Sequence, residues 1–318
     1  MQTIPVFYTI SDDFTQYAAV SLNSLVKRVS LQNNYVITFL HQDLTAKNMA
    51  NLKSFEKDNV KIEFKHINDQ LVKPIKHTEG NYLRADFFTM SIFYRLFIPD
   101  LFPQYDKGIY IDADTVINDD IANLYNIDLA GNYFGACADL SIRFMPIMQE
   151  YIKECQGIFP PEKYINSGVL LLDMKAFRDK KFTERFYYLI NKYNVPTIEP
   201  DQSYLNEICE DKIKHLDPSW DAMPNDNLDP IKNPHLVHYN LFFKPWHFKD
   251  VQYAQYFWDS AKETMYYDQL KNELTNFTDE DRANARKGLK HMLSKIESIK
   301  NNPNSWAHIK ERGEKVKL

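Results

Sequence analysis

Two carboxylates, Asp112 and Asp114, follow the apolar run Ile109-Tyr110-Ile111 with only Ala113 between them. The run alternates and is β-branched and aromatic, so it reads as a strand ending at or near the aspartates. In extended chain residues two apart point to one side, which sets the carboxylates about 6–7 Å apart, repelling unless positive charge lies between them. Paired hard-oxygen donors of this kind bind Mg²⁺ or Mn²⁺, and the ion then grips a diphosphate. The competing reading is a turn whose aspartates cap the next element.

Other candidates are scattered along the chain. His238 and Lys244 lie in HYNLFFKPW (238–246): the imidazole suits Mn²⁺ as a third ligand and the lysine suits a phosphate. A packed aromatic loop with a solvated lysine is the plainer alternative. In Glu199-Pro200-Asp201-Gln202 the proline and the following SYLNEI put Asp201 at a helix start, where an N-cap role is expected. Arg95 stands in an aromatic helix, where it could be a buried ion-pair partner, and Asn166-Ser167-Gly168 before an apolar run could be a simple turn. Only eight glycines occur, none in GxGxxG or GxxxxGK[ST], so a bound diphosphate must be held by side chains and a metal.

These residues need a scaffold, and the first half of the chain alternates strand-like and helix-like segments. Strands are expected at 5–10, 35–40, 60–66 and 167–172, and helices at 17–29, 45–57 and 87–97. That rhythm is an α/β sheet whose ligand crevice lies at the strand ends. Residues 217–234, rich in Pro, Asn and Asp, read as a long ordered loop. Two regions are expected: a catalytic domain over 1–265 and a helical, basic extension over 266–318. Segment 271–318 carries 11 Lys and Arg against 7 Asp and Glu, and Leu289, Met292, Leu293, Ile296 and Ile299 form a helical stripe. The stripe fits an amphipathic helix on anionic lipid or, slightly better, an annex on the catalytic domain or on a partner protein. As an annex, its removal is expected to spare donor hydrolysis and impair transfer.

A net charge of −5 argues against a dedicated nucleic-acid binder. No stretch approaches the roughly 18 apolar residues of a membrane span, and the N-terminus lacks a signal-peptide pattern. Three scattered cysteines without a CxxC pair read as free thiols in a reducing cytoplasm. The expected location is cytoplasmic, with peripheral contact at the inner membrane face through 271–318 as the alternative.

The order of SDDF, YRLFIP, YIDAD, GACADL, YINSGVLLLDMKAFR, PDQ and HYNLFFKPW resembles glycosyltransferase family 8 across roughly residues 3–258. The resemblance implies a GT-A nucleotide-sugar-binding fold, with a mixed, mostly parallel central sheet flanked by helices. It further implies a UDP-sugar donor, Mn²⁺ (with Mg²⁺ as second option) and transfer with retention to a glycan or glycoprotein hydroxyl. Galactose stands slightly ahead of glucose, and a bacterial surface glycan or adhesin is the implied setting. Carried across by motif, Asp112, Asp114 and His238 would be the metal ligands. Thr9, Asp12, Asp13 and Phe14 would line the nucleoside, with Ala113 beside the ribose. Arg95, Asp139, Asn166, Ser167 and Asp201 would surround the sugar, with Gln202 at the reacting face and Lys244 on the diphosphate. The family's usual HxxGxxKPW glycine is Leu241 here, and its first-strand Asp-Asp-Asn is Ser11-Asp12-Asp13. Two rivals remain: a phosphatase of the DxDxT type, in which Thr115 falls one place too early, and an inactive sugar-binding scaffold.

Overall fold

The computed structural model describes residues 1–71, 73–75 and 90–318. Its strands are β1 (Gln2–Thr9), β2 (Asn33–His41), β3 (Val60–His66), β4 (Lys107–Ile111), β5 (Thr115–Ile117), β6 (Phe134–Ala136), β7 (Val169–Asp173), β8 (Ile213–His215) and β9 (Leu236–His238). Seven form one sheet in the order β3-β2-β1-β4-β7-β6-β8, in which only β7 runs antiparallel to its neighbours β4 and β6. The remaining two, β5 and β9, make a separate antiparallel ribbon with Thr115 opposite His238.

Helices α1 (Thr15–Arg28), α2 (Ala46–Lys53), α3 (Tyr94–Leu101), α4 (Ile121–Tyr125), α5 (Pro146–Glu150), α6 (Met174–Asp179) and α7 (Phe182–Tyr193) are interspersed among the strands. They are followed by α8 (Pro200–Ile208), α9 (Ala254–Ala261), α10 (Tyr267–Asn276), α11 (Asp279–Ser294), α12 (Ile296–Lys300) and α13 (Trp306–Glu311). Residues 87–89 of the expected helix over 87–97 lie outside the described residues; the rest is a 3₁₀ turn at Met90–Phe93 leading into α3. The helix expected over 45–57 is shorter, because Thr45 caps α2 and the chain turns after Lys53.

Strand β1 shows why helices cover both faces. Ile4, Val6, Phe7 and Tyr8 are all fully buried; Val6 and Tyr8 join the cluster around α1, while Phe7 joins the one around α3, α7 and α8. Residues on either side of position 265 share the first cluster, since Tyr266 and Leu270 pack there and Tyr17 Oη donates to Glu273 at 2.5 Å. Further on, Trp306 is wholly buried in the second cluster and donates to Ser203 on α8 at 2.8 Å. The apolar stripe of α11 and α12 lies against Tyr151, Ile152 and Cys155, leaving the basic residues outward rather than an apolar face. Removing 271–318 would therefore uncover α8, the helix that carries Asp201 and Gln202. No helix among the described residues is long and apolar enough to cross a membrane.

Candidate active site

Strand β4 ends at Ile111, and Asp112 N donates to Gly168 O at 2.7 Å, joining its end to the start of β7. The β5–β9 ribbon then delivers His238. One ligand atom from each of Asp112, Asp114 and His238 lies within 4.8 Å of the others. His238 Nε2 is 3.3 Å from Asp114 and 3.8 Å from Asp112, while Nδ1 is 3.0 Å from Asp221. One ring nitrogen faces the aspartate pair and the other is fixed by a buried carboxylate, the arrangement that orients a metal-binding imidazole.

Electrostatics show how much positive charge this cluster demands. Burial alone would keep the imidazole neutral, but Asp114 and Asp221 outweigh it and lift the pKa of His238 to about 10. Despite burial, Lys244 and His238 hold Asp114 far below the usual carboxylate range. Burial pushes Asp221 up to about 6 in spite of His238, and its Oδ2 has no hydrogen-bond partner among the described residues. Two carboxylates and an imidazole form a donor set that fits Mn²⁺, with Mg²⁺ less suited to the nitrogen. Gly168 makes room for it: a Cβ there would lie 2.2 Å from His238 Cε1 and 2.8 Å from Asp112 Oδ2.

Beside the cluster lies a buried polar network. Arg95, on α3, pairs with Asp112 at 3.0 Å and Asp201 at 3.1 Å, and donates to Ser167 O at 2.7 Å. Its guanidinium covers the Tyr110 ring at 4.5 Å, and Tyr110 Oη donates to Asp112. Asp201 does not cap α8: Glu199 precedes the helix, Pro200 takes its first position, and Asp201 accepts instead from Ser167 Oγ at 2.9 Å. Gln202 accepts from Ser167 N at 3.0 Å and donates to Asp139 and Glu199, each at 3.1 Å. Asp139 also accepts from Asn166 at 3.1 Å and from Ser141. Asp139, Asn166, Ser167, Asp201 and Gln202 are thus brought together, and Ala113 is buried between the two aspartates. Packed donors and acceptors in alternation match a ligand made of hydroxyl groups.

The expected nucleoside residues are less unified. Thr9 Oγ1 is buried at the end of β1 without a partner among the described residues. Asp12 is engaged locally, accepting from Thr45 N at 2.8 Å and Asn48 Nδ2 at 2.9 Å, so it pins the start of α2. Asp13 is exposed, and the exposed Phe14 ring meets Tyr17 edge-on at 5.1 Å. Lys244 pairs with Asp114 at 2.5 Å and donates to Tyr239 O, closing the 239–244 turn over the cluster. Leu241 holds φ +57°, the left-handed conformation its missing glycine would have taken without strain.

Sequence reasoning missed Asp221, Ser141 and Asn240. Asp221 sits in a 3₁₀ turn at Pro218–Asp221 inside the segment read as loop, and the adjoining bridge between Ala222 and Val237 brings it beside His238. Ser141 and Asn240 are joined at 2.9 Å across the chain, and nothing in their local sequence marks them.

A mostly parallel sheet carrying an Asp-x-Asp cluster at one strand end, with a buried polar network beside it, is the arrangement of the GT-A fold. The chain belongs to glycosyl transferase family 8, whose profile matches residues 5–250. It is 26% identical over 257 residues to a putative glycosyltransferase of Haemophilus influenzae, covering 78% of this chain and 74% of that protein. Over 265 residues it is 26% identical to the lipopolysaccharide 1,2-glucosyltransferase of Escherichia coli, covering 77% of this chain and 73% of the relative. Among solved structures, galactosyltransferase LgtC with donor and acceptor sugar analogues superposes at TM-score 0.69 and 20% identity, covering 85% of this chain and all of that one. The bifunctional glycosyltransferase WbbM superposes at 0.71 and 20% identity, covering 86% of this chain and 52% of that one. Family membership sets the phosphatase reading aside.

Proposed function

We propose that this glycosyltransferase moves a hexose from a UDP-sugar to a hydroxyl of a glycan or glycoprotein with retention at the anomeric carbon. The observation that carries the reading is the convergence of Asp112, Asp114 and His238 beside the Asp139–Asn166–Gln202 network. Mn²⁺ held by those three residues would neutralise the diphosphate as charge develops on it. Lys244 adds a cation at the same place, and both matter most when UDP departs. The bond from the anomeric carbon to UDP breaks, a bond to the acceptor oxygen forms, and the hydroxyl proton leaves with UDP. Gln202 and Asp201 hold the sugar from the α8 side, and Arg95 keeps Asp112 and Asp201 from repelling each other. At the far end, Thr9, Asp13, Phe14 and Ala113 are proposed to receive the nucleoside, with Asp12 bracing their loop. Galactose is favoured slightly over glucose.

Release of UDP from a panel of UDP-sugars with Mn²⁺ tests this in wild type and Asp114→Asn. Turnover of one sugar, lost in the variant, is expected. A wild-type protein that neither binds UDP nor releases it would instead be the inactive sugar-binding scaffold.

A further inference from the structure

A cavity of about 620 Å³ opens beside the polar network, between residues 141–145, 224–227, 240–252 and the first turns of α11. At its inner end Asn240 donates to Ser141, and Ser141 to Asp139, so it adjoins the network directly. Phe144 and Phe243 border it with 43% and 39% of their surface exposed, and Asn225, Asn227 and Asn240 line it as well. Exposed aromatic faces beside planar amides suit a saccharide, since rings cover the C–H faces while amides bond the hydroxyls. The volume lies within the range of small-molecule sites and exceeds what a single hexose fills.

The outer wall is made by Asp279, Arg282 and Arg286 of α11. These residues lie beyond position 250, where the family match ends, so the wall belongs to this chain rather than to the family-wide site. Arg282 is braced by Asp279 at 2.9 Å and lies over Phe277 at 5.8 Å. Arg286 is exposed, and no hydrogen bond or ion pair holds it among the described residues, so its donors are free to meet a ligand. The wall is also fixed in place. A Cβ at Gly288 would touch the Phe242 ring at 3.3 Å, and Leu241 packs in one cluster with Leu289, Met292 and Leu293. The loop carrying Asn240 and Lys244 is therefore clamped by the same helix that closes the cavity.

We propose that α11 is the acceptor-selecting wall. The acceptor is a saccharide of at least two units, with the receiving sugar at Ser141 and Asn240 and the next unit against Arg286. This rests on the donor reading given above.

The test compares methyl β-galactoside and methyl β-glucoside with methyl β-lactoside and methyl β-cellobioside. Binding is read by saturation-transfer NMR in the presence of UDP and Mn²⁺, and transfer by UDP release above the water background. In wild type a disaccharide is expected to bind at least tenfold more tightly than either monosaccharide. Arg286→Ala should remove that advantage while leaving UDP-sugar hydrolysis unchanged in kcat and donor KM. An equal advantage in both proteins, no advantage in wild type, or no glycoside bound by a protein that still hydrolyses UDP-sugars would each overturn the proposal. Absence of UDP binding and of hydrolysis would instead overturn the donor reading, and the NMR comparison would still report on the cavity.

Discussion

Replacing Gly168 by alanine adds one methyl group at the most crowded point of the site. Its Cβ would lie 2.2 Å from His238 Cε1 and 2.8 Å from Asp112 Oδ2, so to reach ordinary contact the imidazole must retreat by about 1 Å and the carboxylate by about half as much. His238 cannot retreat freely, because Asp221 holds its other nitrogen and Thr115 pairs its backbone. Asp112 is tied to Arg95 and Tyr110. Overpacking of this kind costs about 1–3 kcal/mol, which at this chain length lowers Tm by roughly 1.5–4.5 °C. The functional effect should be larger. Displacing a ligand exceeds the usual loss from disturbing a ligand's support, so Mn²⁺ affinity should fall by at least ~100-fold. Calorimetric titration of Mn²⁺ in the presence of UDP reads the affinity, and circular dichroism checks that the fold persists. Mn²⁺ affinity within threefold of wild type, in a folded Gly168→Ala protein, would refute both the steric argument and the ligand assignment.

Asp221→Asn keeps a side chain of the same shape beside His238 but removes the charge that fixes the imidazole. Mn²⁺ affinity is expected to fall about 10–100-fold with little loss of stability, since a carboxylate that burial already disfavours is replaced by a neutral amide; unchanged affinity would deny Asp221 its orienting role. Lys310→Met acts on the α8–α13 contact, where Lys310 lies 2.6 Å from the wholly buried Glu207 and burial pushes that carboxyl up to about 8, Lys310 offsetting it only in part. Because the folded pKa is raised, the folded chain binds the extra proton between the ordinary carboxyl range and about 8, and Glu207 lowers stability progressively as pH rises through that window. Without Lys310 the cost should be about 1 kcal/mol at pH 6, where Glu207 is protonated, and about 3 kcal/mol or more at pH 9, where a buried charge is left uncompensated. Urea denaturation at the two pH values measures it, and equal losses at both would show that Glu207 is ionised throughout.

Much of the scaffold was legible because its signals are local. Strands such as Val60–His66 and the SGVLLL run are set by consecutive or alternating apolar residues, and α1 by its helical spacing. Asp112 and Asp114 stood out because a charged pair straight after a buried strand is costly without a counter-charge. Boundaries were less secure: β1 starts three residues before the expected position, and α2 stops four short.

Several features follow only from tertiary structure. Asp201 reads locally as a helix cap, but Arg95 and Ser167, which draw its carboxylate away, come from distant elements. The partnership of His238 with Asp221 exists because a two-stranded ribbon and a 3₁₀ turn meet, and neither carries a signal pointing to the other. Gly168 looked like a turn residue, yet its need is steric and is created by side chains from β9 and the end of β4. The basic C-terminal stretch was readable as helical and amphipathic; that its stripe covers protein, and that Trp306 locks onto the helix bearing Asp201 and Gln202, depended on which surface lay within reach. Sequence by itself determined the elements and the residue types able to hold a metal and a diphosphate, since periodicity and charge are properties of neighbouring residues. Tertiary structure decided which of those residues meet and how deeply each is buried, because sheet order and helix docking set distances between residues far apart in the chain.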